Sequence, residues 1–256
     1  MVSGFSLKKW YLDAADDQGN VFIGYWISLH WRALSLSGYQ YLWHSPGEGV
    51  ITQSEMTRQP EPVWQGPDYL IWQNKNLNAS WKSLAESIEK TIISDRGEIE
   101  WHCLQPKAKS KIELPQFCFT GWGYAEYINI NFPIWNLPFK TLFWGRTHSE
   151  NHYLVWIKME ESDNLNIVWY DGKPDTSLVI SDTQILGSGF SLELGNNIPL
   201  RKGKFISTVL RPFENIVKLF PKKSFIFDEQ KWYNLGILKT GETSEKAITI
   251  YEKVTW

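Results

Sequence analysis

Val21-Phe22-Ile23-Gly24-Tyr25-Trp26-Ile27-Ser28-Leu29-His30-Trp31 is the stretch that sets the fold class. Val21, Ile23, Tyr25, Ile27, Leu29 and Trp31 fall on one side at period two, with Gly24, Ser28 and His30 on the other, the pattern of a half-buried β-strand. Just upstream, residues 8–13 read as another strand, and Asp16-Asp17-Gln18-Gly19-Asn20 supplies the turn chemistry of a hairpin between the two. Similar runs recur at residues 38–43, 69–73, 99–103, 117–132, 139–147, 152–159, 165–170, 177–181, 204–210, 231–238 and 247–254. Short strands separated by Gly, Asn, Asp and Pro predict an all-β protein of barrels or sandwiches. One segment departs: Trp81, Leu84, Ala85, Ile88 and Ile92 keep helical spacing behind a capping Ser80, which predicts one short helix.

A chain of 256 residues favours two domains. The boundary is expected within residues 104–115, where Pro106 and Pro115 flank Lys107, Lys109 and Lys111 with little apolar pattern. This gives an N-terminal β-domain over 1–110 and a C-terminal one over 111–256. Lys and Arg number 26 against 28 Asp and Glu, a net charge of −2, so no basic excess exists to neutralise a phosphate backbone and nucleic acid is not an expected partner. Cys103 and Cys118 could form one bridge, but they make no CxxC pair and no disulfide framework, as expected of a reduced compartment. The opening MVSGFSLKKW has no apolar signal core, and no window approaches the roughly 20 apolar residues of a membrane helix, so a cytoplasmic protein with no integral membrane segment is expected, as monomer or dimer. Fifteen Trp, 11 Tyr and 13 Phe suggest either a wide-barrel core or a ring-lined cavity for an apolar small molecule.

The informative segment for chemistry runs from Phe119 to Phe132. As a strand it places Trp122, Tyr124, Glu126, Ile128, Ile130 and Phe132 on one face, so a carboxyl sits in an otherwise apolar row. Burial disfavours a charged carboxylate, which is one way an acid is kept protonated at neutral pH. Glu126 is therefore the candidate general acid, Tyr124 its orienting hydrogen-bond partner, and Trp122 a ring able to stabilise a developing cation. The plain alternative is that Glu126 points to solvent or pairs with a buried Arg. Glu252 lies on a similar apolar face with Ile248, Ile250, Val254 and Trp256 and suggests no chemistry. In residues 139–148, Trp144, Arg146 and His148 share a face, as ligand anchors or as an ion pair closing a barrel end. Trp101, Trp10 and Tyr25 complete the candidate substrate-binding set. The histidines show no HExxH, and GxSxG, GxGxxG and P-loop signatures are missing, so no metal and no cofactor is expected.

Residues 9–14 (KWYLDA), Ile99-Glu100-Trp101-His102, and Gly121-Trp122-Gly123-Tyr124-Ala125-Glu126 followed by Trp144-Gly145-Arg146 resemble, in that order, the carotenoid 1,2-hydratase, AttH and tocopherol cyclase group, with fungal decalin-forming Diels–Alderases as more distant members. The resemblance implies a pair of lipocalin-like (calycin-like) β-domains with the ligand pocket at or near their interface. It also implies acid-initiated chemistry on an isoprenoid double bond, the cation being trapped by water or an internal hydroxyl. Tyr124-Ala125-Glu126 matches the group's Tyr-x-acid pattern, with Glu where the hydratases have Asp, and Trp101 matches the preceding Trp. His102 follows that Trp, whereas the hydratases carry a His two residues before it. The expected function is cofactor-independent, acid-initiated hydration or cyclisation of an isoprenoid or other apolar metabolite, or a pericyclic cyclisation that needs only a shaped, dry cavity. A lipocalin-like carrier that binds a lipophile unchanged is the alternative. A Trp-lined carbohydrate-binding surface is disfavoured, because the rings alternate within strands.

Overall fold

The computed structural model describes residues 4–94, 96–160, 165–181, 183–204 and 227–255, and they form two compact units. The first unit takes in 4–137 and the second 138–204 with 227–255. The expected strand at 204–210 and Trp256 fall outside the described residues, Lys204 excepted.

Ten strands make up the first unit: β1 Phe5–Ala15, β2 Val21–Trp31, β3 Leu34–Ser45, β4 Gly49–Glu55, β5 Val63–Trp64, β6 Tyr69–Gln73, β7 Asn78–Ser83, β8 Ile88–Ser94, β9 Gly97–Leu114 and β10 Phe117–Ile130. They pair antiparallel in the order β4-β3-β2-β1-β10-β9-β7-β6-β5, with β8 on β9. The β1–β2 hairpin forms as its turn residues dictate. The Asp16 carboxylate accepts the amides of Gln18 and Asn20, and Gly19 takes a φ of 92°, open to glycine without strain. Val21, Ile23, Tyr25, Ile27 and Leu29 are all buried. Gly24 on the opposite side is buried as well, because the Trp72 ring of β6 lies where its Cβ would be.

That contact shows how the sheet curls. Trp72, far along the strand order from β2 and β3, meets Tyr39 and Tyr41 edge-on at 6.4 and 6.5 Å between ring centres. The space inside the curl is filled by the chain's own rings, among them Phe22, Tyr39, Tyr41, Trp72 and Trp81. Burying one such side chain contributes about 1.5–3 kcal/mol.

Two sequence expectations are corrected here. The helix over 81–92 is absent: Trp81 lies within β7, which ends at Ser83, and β8 begins at Ile88. Pairing with Leu70 makes Trp81 a buried sheet residue between half-buried Ser80 and exposed Lys82, while Leu84 is left exposed in the connection. The helical spacing was accidental, and the β-branched Thr91-Ile92 suits a strand. All of the linker expected at 104–115 except Pro115 lies within β9, so the boundary at 110/111 falls inside a strand, and the division lies between Leu137 and Pro138. Pro106 is accommodated because the β9–β10 register shifts between Gly123 and Glu126, a bulge in which a missing N–H breaks no ladder bond.

The second unit comprises β11 Thr141–His148, β12 Tyr153–Glu160, β13 Asn166–Tyr170, β14 Lys173–Asp175, β15 Val179–Ile180, β16 Gln184–Gly187, β17 Phe190–Glu193, β18 Asn197–Lys204, β19 Asp228–Thr240 and β20 Thr243–Thr255. The order is β14-β13-β12-β11-β20-β19-β17-β16-β15, with β18 on β19. Its core gathers Leu154, Trp156, Val168, Phe190, Leu192 and Leu238 on one face. Gly145 is required because the Trp156 ring occupies the place of its Cβ. Both units are lipocalin-like antiparallel β-domains, and beyond the 3-10 turn Ile134–Asn136 the described residues hold no helix.

Candidate active site

Alternation along β1 and β10 turns Tyr11, Asp13, Tyr124 and Glu126 to the face opposite the aromatic core. Glu126 is buried, at 3% exposure. Its Oε2 accepts two hydrogen bonds, from Trp101 Nε1 and from the Tyr124 hydroxyl, each at 2.7 Å. The register brings these donors in: Trp101 stands opposite Ile128, one pleat from Glu126, and Cys103 stands directly opposite Glu126. Lys9 Nζ lies 4.0 Å from the other oxygen, Oε1. The same ammonium sits 6.0 and 5.8 Å from the ring centres of Tyr11 and Tyr25.

Beside this group stands a matching one. Tyr11 donates to Asp13 Oδ2 at 2.9 Å, as Tyr124 donates to Glu126, and the antiparallel register sets Tyr11 against Glu126 and Asp13 against Tyr124. The main chain of Asp13 is held from the core side by Trp81 Nε1, 2.7 Å from its carbonyl. Burial pushes the Tyr124 hydroxyl well above its ordinary range, and the neighbouring Cys103 and Glu126 side chains push the same way, so it acts as a donor that keeps its proton. Burial likewise raises the Cys103 thiol, so it stays protonated, and Cys103 and Cys118 are both free. The two glycines flanking Trp122 are explained by packing. A Cβ on Gly121 would strike the Ala15 carbonyl, and one on Gly123 would strike the Trp81 indole.

In the second unit, Trp144, Arg146 and His148 share a face of β11, away from that unit's core, and all are buried. Arg146 donates to the Ile248 carbonyl at 3.3 Å. The neighbouring strands bring a buried charge pair to this face: Lys231 meets Glu252, and the Lys231 ammonium lies 5.2 Å from the Trp144 ring centre. Glu252, which suggested no chemistry in the sequence, is thus one half of an ion pair. A second pair, Arg201 with Glu229 at 3.6 Å, is almost wholly out of solvent.

Of the residues expected to line a site, Glu126, Tyr124 and Trp101 come together by direct hydrogen bonds, and Tyr25 joins them through its 5.3 Å ring contact with Tyr11. Trp122 shares their face but is half-buried under the ammonium groups of Lys109 and Lys107, at 3.2 and 4.6 Å. Trp10 is a correction. It points to the other side of β1, among the core rings, because period two sends neighbours Trp10 and Tyr11 to opposite faces. Sequence reasoning missed Lys9, Tyr11, Asp13 and Cys103. Tyr11-Leu12-Asp13 repeats the Tyr-x-acid spacing of Tyr124-Ala125-Glu126, the signal by which the first pair was legible. Among the described residues, no group of three or more His, Cys, Asp and Glu side chains is placed to hold a metal, and no helix is long and apolar enough to cross a membrane.

No family model matches the chain, and no curated protein matches it. Solved structures do. CghA is similar at a TM-score of 0.62 and 11% identity, over 98% of this chain and 88% of that one. A putative AttH from Nitrosomonas europaea is similar at 0.59 and 8%, covering 98% and 92%. Kievitone hydratase from Nectria haematococca is similar at 0.56 and 8%, covering 99% and 90%. The chain thus has the lipocalin-like fold that its motifs implied, over nearly its whole length.

Proposed function

We propose that the chain is a cofactor-independent enzyme that protonates a carbon–carbon double bond of an apolar small molecule, leading to hydration or cyclisation, with Glu126 as the general acid. The observation that carries this reading is the double hydrogen bond on Glu126 Oε2. Two donors occupy that oxygen, so the transferable proton belongs on Oε1, the side that Lys9 approaches. The alkene π pair takes this proton to form the new C–H bond, leaving a cation on the second carbon. Trp101, Tyr124 and Lys9 stabilise the carboxylate that remains, in a site already organised before the charge develops. The rings of Tyr11 and Tyr25, on the same face, offer negative π-surfaces to the cation. Water or an internal hydroxyl then adds through oxygen, and the proton it releases returns to Glu126.

The shared fold supports the reading: one similar protein is named as a hydratase, and CghA has also been solved with the small molecule Sch210972. General acid catalysis contributes about 10²- to 10⁴-fold, and positioning supplies the rest. The test is incubation of wild type and Glu126→Gln with linear and cyclic isoprenoids in heavy water, reading product mass. Deuterium placed on carbon by wild type alone is the expected result. Tight retention of a panel member without conversion would instead make the chain a carrier, and a product formed without deuterium would make it a pericyclase-type cavity.

A further inference from the structure

The concave side of the first sheet changes character along its strands. Past the core rings, β2 and β3 continue on the same side with Trp26, then Ser28 opposite Ser37, then His30 opposite Ser35. The lining turns from aromatic to hydroxyl. Segment 56–62 is drawn over this end by two indoles: Trp26 Nε1 donates to the Gln59 carbonyl at 3.0 Å, and Trp10 Nε1 to Glu61 Oε2 at 3.1 Å. Between strands and segment lies an open groove of about 640 Å³, bordered by Trp26, Ser28, Ser37, Arg58, Gln59 and Glu61. That volume is in the range of small-molecule sites.

We propose that this groove is a second ligand site and that it takes a neutral pyranose ring. Arg58 and Glu61 bring opposite charges that cancel, which selects against a charged ligand. Hydroxyl, amide, guanidinium and carboxylate groups converge on it, a mixture of donors and acceptors that suits a ring bearing several hydroxyls. Trp26 adds an apolar indole surface for the C–H face of such a ring, and its bond to Gln59 fixes the indole in place. The alternation of rings within strands, which counts against a sugar-stacking surface in the sequence, is no obstacle here, because the inner face runs out of core before the strands end. The site is separate from Glu126. Trp10 and Trp26 lie on one side of the β1–β2 wall, and Tyr11, Tyr25 and Glu126 on the other. The inference is independent of the chemistry proposed for Glu126.

The test is calorimetric titration and saturation-transfer NMR of the full chain with methyl α-glucopyranoside, methyl β-galactopyranoside, maltose and cellobiose. Saturable binding of at least one sugar is expected, with a Kd on the order of 1 mM. Ser37→Leu at a half-buried position and Arg58→Ala at an exposed one keep the core intact, and each should weaken binding about tenfold or more, while Glu126→Gln binds as wild type. Failure of every sugar to saturate overturns the proposal, as does unchanged binding in both groove variants. Loss of binding in Glu126→Gln overturns it too, because the sugar would then sit at the other face.

Discussion

Trp101→Phe and Tyr124→Phe each remove one donor from Glu126 Oε2 while keeping a ring in place. With Glu126 protonated, as the proposed mechanism requires, Oε2 is a neutral carbonyl oxygen, so each lost bond should cost about 1 kcal/mol of stability. As the proton leaves Oε1, the same bond becomes charge-assisted and is worth about 1.5–3 kcal/mol. The difference, about 0.5–2 kcal/mol, appears only in the transition state and corresponds to a fall in kcat of about 2- to 30-fold. Both variants share one acceptor oxygen, so the double variant should depart from additivity in stability by at least about 0.5 kcal/mol. Urea unfolding at unchanged m-value gives the stabilities, and single-turnover rates on the converted isoprenoid give kcat. Full stability loss with an unchanged rate in both variants would refute the reasoning, since Trp101 and Tyr124 would then hold a carboxyl that does no chemistry.

The Lys231–Glu252 pair offers a test in the second unit, since Lys231 is fully buried. Glu252→Gln removes the charge partner of a desolvated ammonium and should cost about 3 kcal/mol or more, while Lys231→Met combined with Glu252→Gln should cost less than Glu252→Gln alone, read by urea midpoints. Acid sensitivity has named sources there too. The Asn151 side chain, with Ser149 and the Asn151 amide, holds the Glu245 carboxyl down to about 2, and the amides of Ser188 and Ser177 hold Asp175 well below the usual carboxylate range. Both carboxyls are depressed in the folded state, so their stabilisation is complete above the unfolded values of 4.5 for Glu245 and 3.8 for Asp175 and is lost as pH falls, toward about 2 for Glu245 and lower still for Asp175. Glu245→Gln with Asp175→Asn should flatten the urea midpoint over that window, and an unaltered slope would remove these groups as its cause.

The all-β class and the strand at Val21–Trp31 were legible, because period-two alternation marks the face that the core claims, although Phe22 and Gly24 on the other face are buried too and β4, β16 and β17 went unread. The Tyr-x-acid face of β10 was legible for the same reason, and so was the partnership of Tyr124 with Glu126, which depends on neighbours within one strand. Two errors came from local signals that distant contacts overrode. Pro106 reads as a linker until β10 supplies a register shift to absorb it, and the spacing of Trp81 to Ile92 reads as a helix until Leu70 pairs with Trp81.

The sequence by itself determined the all-β class, the hairpin turn and the row holding Glu126, all consequences of side-chain alternation and backbone preference within a dozen residues. Only the tertiary structure decided which rows meet: Trp101 on Glu126, Asp13 beside Tyr124, Lys231 on Glu252, and Trp10 on the far side from Tyr11. Strand order and register join residues more than a hundred positions apart, and no local pattern in the chain encodes that pairing.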